Sequence, residues 1–76
     1  MKRYIKKVIP IVYDFYVDFE SKNGYCPSYR VTKEETGICL DYISKSINWL
    51  ADNGYISVMS KGIYKVNKDK VFKGVD

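Results

Sequence analysis

Residues Gly37-Ile38-Cys39-Leu40-Asp41-Tyr42-Ile43-Ser44-Lys45-Ser46-Ile47-Asn48-Trp49-Leu50-Ala51-Asp52-Asn53-Gly54-Tyr55-Ile56 set the architecture. Leu40, Ile43, Ile47, Leu50 and Ala51 fall at offsets 0, 3, 7, 10 and 11, which is one face of a helix and cannot be a strand. The spacing predicts a helix over roughly Leu40 to Asn53, stopped by Asn53-Gly54. Upstream, Gly37 marks a tight turn with Ile38 packing inward after it. Pro27-Ser28 opens a short helix running to about Thr36, with Ser28 as N-cap and Val31 as its core residue. Downstream, Tyr55–Ser60 and Ile63–Val66 carry the β-branched and aromatic alternation of two strands.

Working outward, the segment from Tyr4 to Lys22 reads as a helix whose stripe is Val8, Val12, Phe15 and Phe19. Pro10 belongs in a first turn or at a kink, so the regular helix is expected to begin near Ile9 or Pro10, after a basic arm over residues 1–9. Ile5, Ile9, Ile11, Tyr13, Tyr16 and Val17 then lie outside the stripe, more apolar surface than a peripheral helix needs. Either the arm folds back over that surface or a second copy covers it, and a homodimer through this helix is the partner expectation. For the hairpin, a two-residue Lys61-Gly62 loop pairs Ser60 with Ile63 and sets Val58 opposite Lys65. A three-residue loop pairs Val58 with Val66 and Ser60 with Tyr64. The second gathers Ile56, Val58, Tyr64 and Val66 on one face, so a bulged turn with Gly62 at positive φ is expected. Residues 67–76 form a basic tail. The fold class is mainly α with a small β-hairpin, as one domain over residues 1–76.

Composition narrows the function. Seventy-six residues suffice for one small domain, and 46% hydrophobic with 29% charged residues is the balance of a folded one. With two cysteines and no histidine, neither a four-ligand zinc site nor a histidine-based catalytic set can be assembled. A non-enzymatic protein without metal or cofactor is expected. Cys26 and Cys39 read as small hydrophobes in a reducing, cytoplasmic setting, and no apolar run is long enough for a membrane span.

Two helices joined by a glycine turn and followed by a hairpin describe a winged helix-turn-helix. Gly24-Tyr25-Cys26-Pro27-Ser28-Tyr29-Arg30 resembles the G-x-P-P-S/T-x-R segment that enters the second helix of LexA-type repressor domains. Gly37-Ile38-Cys39, Ile43-Ser44-Lys45, Ile47, Leu50 and Gly54-Tyr55-Ile56 are similar to the pattern G-I-S-x-x-T-V-S-x-x-L-x-x-L-x-x-x-G-x-I of bacterial and phage winged-helix regulators. The likeness spans about Phe15 to Val66. It implies three helices plus a wing, with the third helix in the major groove of double-stranded DNA and the second across the phosphates. By that pattern Leu40, Asp41, Tyr42 and Lys45 lie nearest the base edges and Ser46 nearer phosphate. Ser28, Tyr29 and Arg30 offer phosphate donors, and Lys61 and Lys65 add wing charge. Tyr29 and Tyr42 also suit a packing role, and Trp49 suits packing on the hairpin or a partner chain. Thr32 and Lys33 depart from the family's usual hydrophobic residue and alanine, which predicts a shifted, distorted or differently angled second helix.

The resemblance implies a sequence-specific duplex DNA binder, a small regulator of a bacterial, phage or mobile-element operon. Alternatives are a winged-helix protein-interaction module and a single-strand binder in element replication that uses tyrosines as stacking platforms. The net charge of +4 is unevenly placed. Residues 1–7 hold four cations, residues 8–60 hold four cations against seven anions, and residues 61–76 hold five against two. DNA attraction must therefore come from the two ends, and it requires those ends to lie beside the third helix.

Overall fold

A computed structural model describes residues 3–60 and 63–74. Three helices, α1 (Arg3–Asn23), α2 (Tyr29–Thr36) and α3 (Leu40–Asp52), precede a two-stranded antiparallel hairpin, β1 (Ile56–Ser60) and β2 (Ile63–Val66). This is the mainly helical winged-helix arrangement expected. The core is built from one face each of α1 and α3, closed by Ile38, Tyr55, Ile56 and Val66.

The first helix differs from expectation at both its start and its face. It begins at Arg3 and runs through Pro10, so no separate arm extends to residue 9. Its buried residues are Ile5, Val8, Ile9, Val12, Tyr13 and Tyr16, while Phe15 and Phe19 sit at the rim. Energetics explain the continuity. A proline inside a helix costs about 3 kcal/mol. Burying Ile5, Val8 and Ile9 ahead of it returns about 1.5–3 kcal/mol each, so tertiary burial wins. Most of the apolar surplus is therefore consumed by the chain's own core, with Tyr4 and Ile11 left exposed.

Ser28 caps α2 as expected, its Oγ accepting the Val31 N–H at 3.2 Å. The core residue of α2 is Thr32, not the half-buried Val31. The Thr32 hydroxyl donates to the Ser28 carbonyl at 2.8 Å, so it enters the core with its polar group satisfied. Lys33 is exposed. The two departures from the regulator pattern are thus accommodated within a regular helix. Gly37 ends α2 at φ 74°, in the left-handed region, with its N–H on the Lys33 carbonyl at 2.8 Å.

The hairpin register corrects the sequence expectation. Ile56 pairs with Val66, Ser57 with Lys65, Val58 with Tyr64, and Ser60 with Ile63. Ser60–Ile63 is the shorter-loop pairing, and a bulge between Val58 and Ser60 takes up the extra residue. The bulge restores parity, so Ile56, Val58, Tyr64 and Val66 still share a face. Lys61 and Gly62, including the φ expected of Gly62, lie outside the described residues.

The C-terminal segment is not a free tail. Asn67 donates through Nδ2 to the Gly54 carbonyl at 2.7 Å and accepts from the Ser57 hydroxyl at 2.9 Å. Lys70 Nζ reaches the Asn53 carbonyl at the end of α3 and lies 4.6 Å from the Tyr55 ring centroid. Phe72 then stacks on Tyr13 at 4.6 Å and meets Tyr55 edge-on at 4.9 Å.

Candidate nucleic-acid interface

The outer face of α3 carries Asp41, Lys45, Asn48 and Asp52, all exposed, at offsets 0, 4, 7 and 11. Leu40, 46% exposed, stands at the helix start beside Arg30, Lys33 and Glu34, around a shallow recess of about 310 Å³. Lys45 and Asp41 pair at 3.2 Å, and the Lys45 ammonium lies 5.9 Å from the Tyr42 ring.

Some of the expected contact residues are committed elsewhere. Ser46 is fully buried and its hydroxyl donates to the Tyr42 carbonyl at 2.7 Å, so it is withdrawn as a phosphate ligand. The reason is geometric, because Ser46 lies three residues after Ile43 and four before Leu50, on the core stripe. Tyr29 is half-buried and stacked on Tyr64 of the wing, with the two hydroxyls 3.1 Å apart. Burial, then the hydrogen bond and repulsion from Tyr64, push the Tyr29 phenol up to about 12. It therefore splices the start of α2 to the hairpin, the packing role also open to it. Tyr42 is half-buried against Tyr4, ring centroids 4.9 Å apart. Trp49 stacks on Tyr55 at 5.9 Å, turned away from the outer face of α3. Ser28, Arg30 and Lys65 are exposed, and Lys61 lies outside the described residues.

Three features are not among the contacts expected from the sequence. Asn48 belongs to the outer face by the same helical spacing that placed Lys45, and asparagine is the side chain suited to adenine N6/N7. Glu20, with only 10% of its side chain exposed, accepts the Val66 N–H at 2.9 Å and the Cys26 thiol at 3.3 Å through one oxygen. It fastens the end of α1 to the wing base. Burial first, then the Glu20 hydrogen bond and charge, raise the Cys26 thiol to about 12. Tyr16, fully buried, points its hydroxyl at Thr32 without closing a hydrogen bond there or elsewhere among the described residues, and burial raises its pKa.

DNA attraction from the chain ends calls for cations near α3, and part of each end lies there among the described residues. Tyr4 against Tyr42 sets the first turn of α1 on the first turn of α3, with exposed Lys6 and Lys7 following. Lys70 sits at the last turn of α3. Among the described residues, exposed Lys6 and Lys7 near the start of α3 and Lys70 at its end approach the near-neutral third helix, while Lys68 lies beside Glu20 at the wing base.

Residues 5–76 match the family described as Firmicute plasmid replication protein (RepL). The chain belongs to the RepL family. No curated protein and no solved structure matches it. RepL membership agrees with the winged-helix fold and gives the mobile-element setting expected from the sequence, while the likeness to LexA-type domains remains one of motif. Among the described residues, no helix of this RepL chain is long and apolar enough to cross a membrane.

Proposed function

We propose that this RepL chain is a non-catalytic, sequence-reading duplex DNA binder that acts at the replication origin of the plasmid encoding it. The observation that carries the reading is the approach of part of each basic chain end to α3, through Tyr4–Tyr42 and Lys70–Asn53. Lys45 and Asn48 read base edges, on guanine O6/N7 and adenine N6/N7 respectively. Arg30, Lys33, Lys65, Lys6 and Lys7 contact phosphates. The same binding over the chain's own promoter represses transcription, the regulator role that the LexA-type motif suggests. Tyr4, Ile11, Phe15 and Phe19, at helical spacing along one flank of α1, are the surface through which two copies pair on a two-fold site. Duplex is favoured over single strands because Tyr13, Tyr29, Tyr55 and Tyr64 already stack on protein rings and have few free faces for bases.

The reading is tested with tiled duplexes of the plasmid in a salt series. Five phosphate contacts per copy give a slope near −4.5 for each bound copy, or about 500-fold weaker binding per copy from 50 to 200 mM salt. Lys45→Ala should weaken the best duplex about 5- to 150-fold and leave the poorest tiles unchanged, since one bidentate base contact is worth about 1–3 kcal/mol. Tighter binding to single strands, or no salt-sensitive duplex binding, would refute the proposal.

A further inference from the structure

The free end of the hairpin breaks the alternation that governs its base. Ile56 and Val66 are buried, Tyr64 is half-buried on Tyr29, and Val58, directly opposite Tyr64, is 57% exposed. Met59 falls at the bulge and is 64% exposed, and Ile63 across the ladder is 59% exposed. Met59 and Ile63 line a shallow recess with Tyr64, Lys65, Glu20 and Tyr25. By strand alternation Val58, paired with Tyr64, and Ile63, next to Tyr64, project from opposite sides of a ribbon two strands wide. A hairpin end gains nothing from such residues in water, and contiguous exposed apolar surface marks a place of contact.

The surroundings specify the partner's chemistry. Lys65 is exposed behind the apolar residues, and Lys68 follows at the wing base, 3.9 Å from Glu20. A narrow apolar edge backed by cations complements a polyanion with an apolar interior, which describes stacked base pairs between two phosphate strands. Tyr64 connects this edge to Tyr29 at the start of α2, so a duplex held along α2 and α3 passes close to it.

We propose that Val58, Met59 and Ile63 form a wedge that enters a base step of the bound duplex and unstacks it, with Lys65 holding the adjacent phosphate. The wedge rests on the duplex-binding reading and adds local opening to it, the step an origin needs before its strands are copied.

Permanganate, which oxidises unstacked thymines, tests the wedge at every thymine of linear plasmid DNA at once. With the full chain bound, thymine reactivity at one or two steps should rise about tenfold or more, because a free duplex keeps its steps stacked. The variant V58S/M59S/I63S should keep its melting temperature, since all three residues are exposed, and keep duplex binding within about tenfold. Its permanganate signal should fall to that of free duplex. Binding without any rise in reactivity, or an equal rise with the variant, overturns the wedge and leaves duplex binding standing. Absence of duplex binding overturns both. Retention of the wild-type chain on anionic lipid vesicles, lost in the variant and accompanied by no thymine reactivity, reassigns the apolar edge to a membrane surface and also overturns the wedge.

Discussion

Removing the Glu20 carboxylate should loosen the wing base, and the cost can be worked from its contacts. One oxygen receives the N–H of Val66, a residue 2% exposed, and the thiol of Cys26. In Glu20→Ala the part-buried Val66 N–H loses its acceptor. Leaving a buried donor unsatisfied costs about 1–3 kcal/mol. For a domain of this size each kcal/mol lowers the melting temperature by about 4–8 °C, so a drop of about 4–24 °C follows. Glu20→Gln keeps an acceptor but loses the charge assistance, and should lie about 1 kcal/mol below wild type. Lys68→Ala serves as the control. Its ammonium is 3.9 Å from Glu20 with its side chain 71% exposed, a geometry worth well under about 1 kcal/mol. Thermal melts followed by circular dichroism, paired with urea titrations, separate the three variants. A lower urea midpoint with an unchanged slope would show lost stability rather than a change in compactness. A Glu20→Ala variant melting within about 2 °C of wild type would refute the claim that this carboxylate holds the wing.

Two further outcomes follow from the same packing. Cys26 should stay unmodified by iodoacetamide at pH 8 in the folded chain while exposed Cys39 is labelled, because a thiol raised from 9.0 to about 12 holds about a thousandfold less thiolate. The folded state binds that proton more tightly than the unfolded state, so its contribution is complete below pH 9 and is lost as the pH rises towards 12; comparable labelling of both cysteines by intact mass would contradict this. Phe72→Ala should cost about 1–3 kcal/mol from two aromatic contacts, lowering the melting temperature and the near-ultraviolet dichroism together, and an unchanged melt would show that the C-terminal segment is not docked.

The parts of this fold that are legible in the sequence are those set by local rules. The stripe Ile43, Ile47 and Leu50, the Ser28 cap and the Gly37 turn each depend on neighbours within four residues, and each stands where expected, while Leu40 at the start of the stripe is exposed. The start of α1 is not legible, because Pro10 argues locally for a break and only burial against α3 overrides it. The hairpin register differs from expectation because a bulge and a longer loop satisfy the same parity, and their difference lies in the ladder rather than in the residue pattern. Ser46 is a different kind of miss. Its position between Ile43 and Leu50 already places it on the core stripe, and that spacing outweighs the regulator motif that set it near phosphate. Phe72 and Glu20 leave no periodic trace, since each acts through long-range contacts.

The near-neutral third helix sharpens what binding must look like. Asp41 and Lys45 form an exposed i,i+4 pair, worth about 0.3–0.5 kcal/mol. A guanine edge offers a lysine about 1–3 kcal/mol, so DNA can take Lys45 from Asp41 at little cost. Asp41 in turn repels the phosphate backbone and discourages α3 from settling on any duplex that gives Lys45 no compensating contact. Affinity and discrimination are therefore carried by different parts of the chain. The lysines and arginine at the margins set attraction and salt dependence for every sequence, whereas the Asp41–Lys45 exchange favours only some. Asp41→Asn should accordingly tighten binding to poor tiles more than to the best one, narrowing the ratio between them. A uniform gain across all tiles would instead place Asp41 among the general electrostatic terms and remove α3 as the reader.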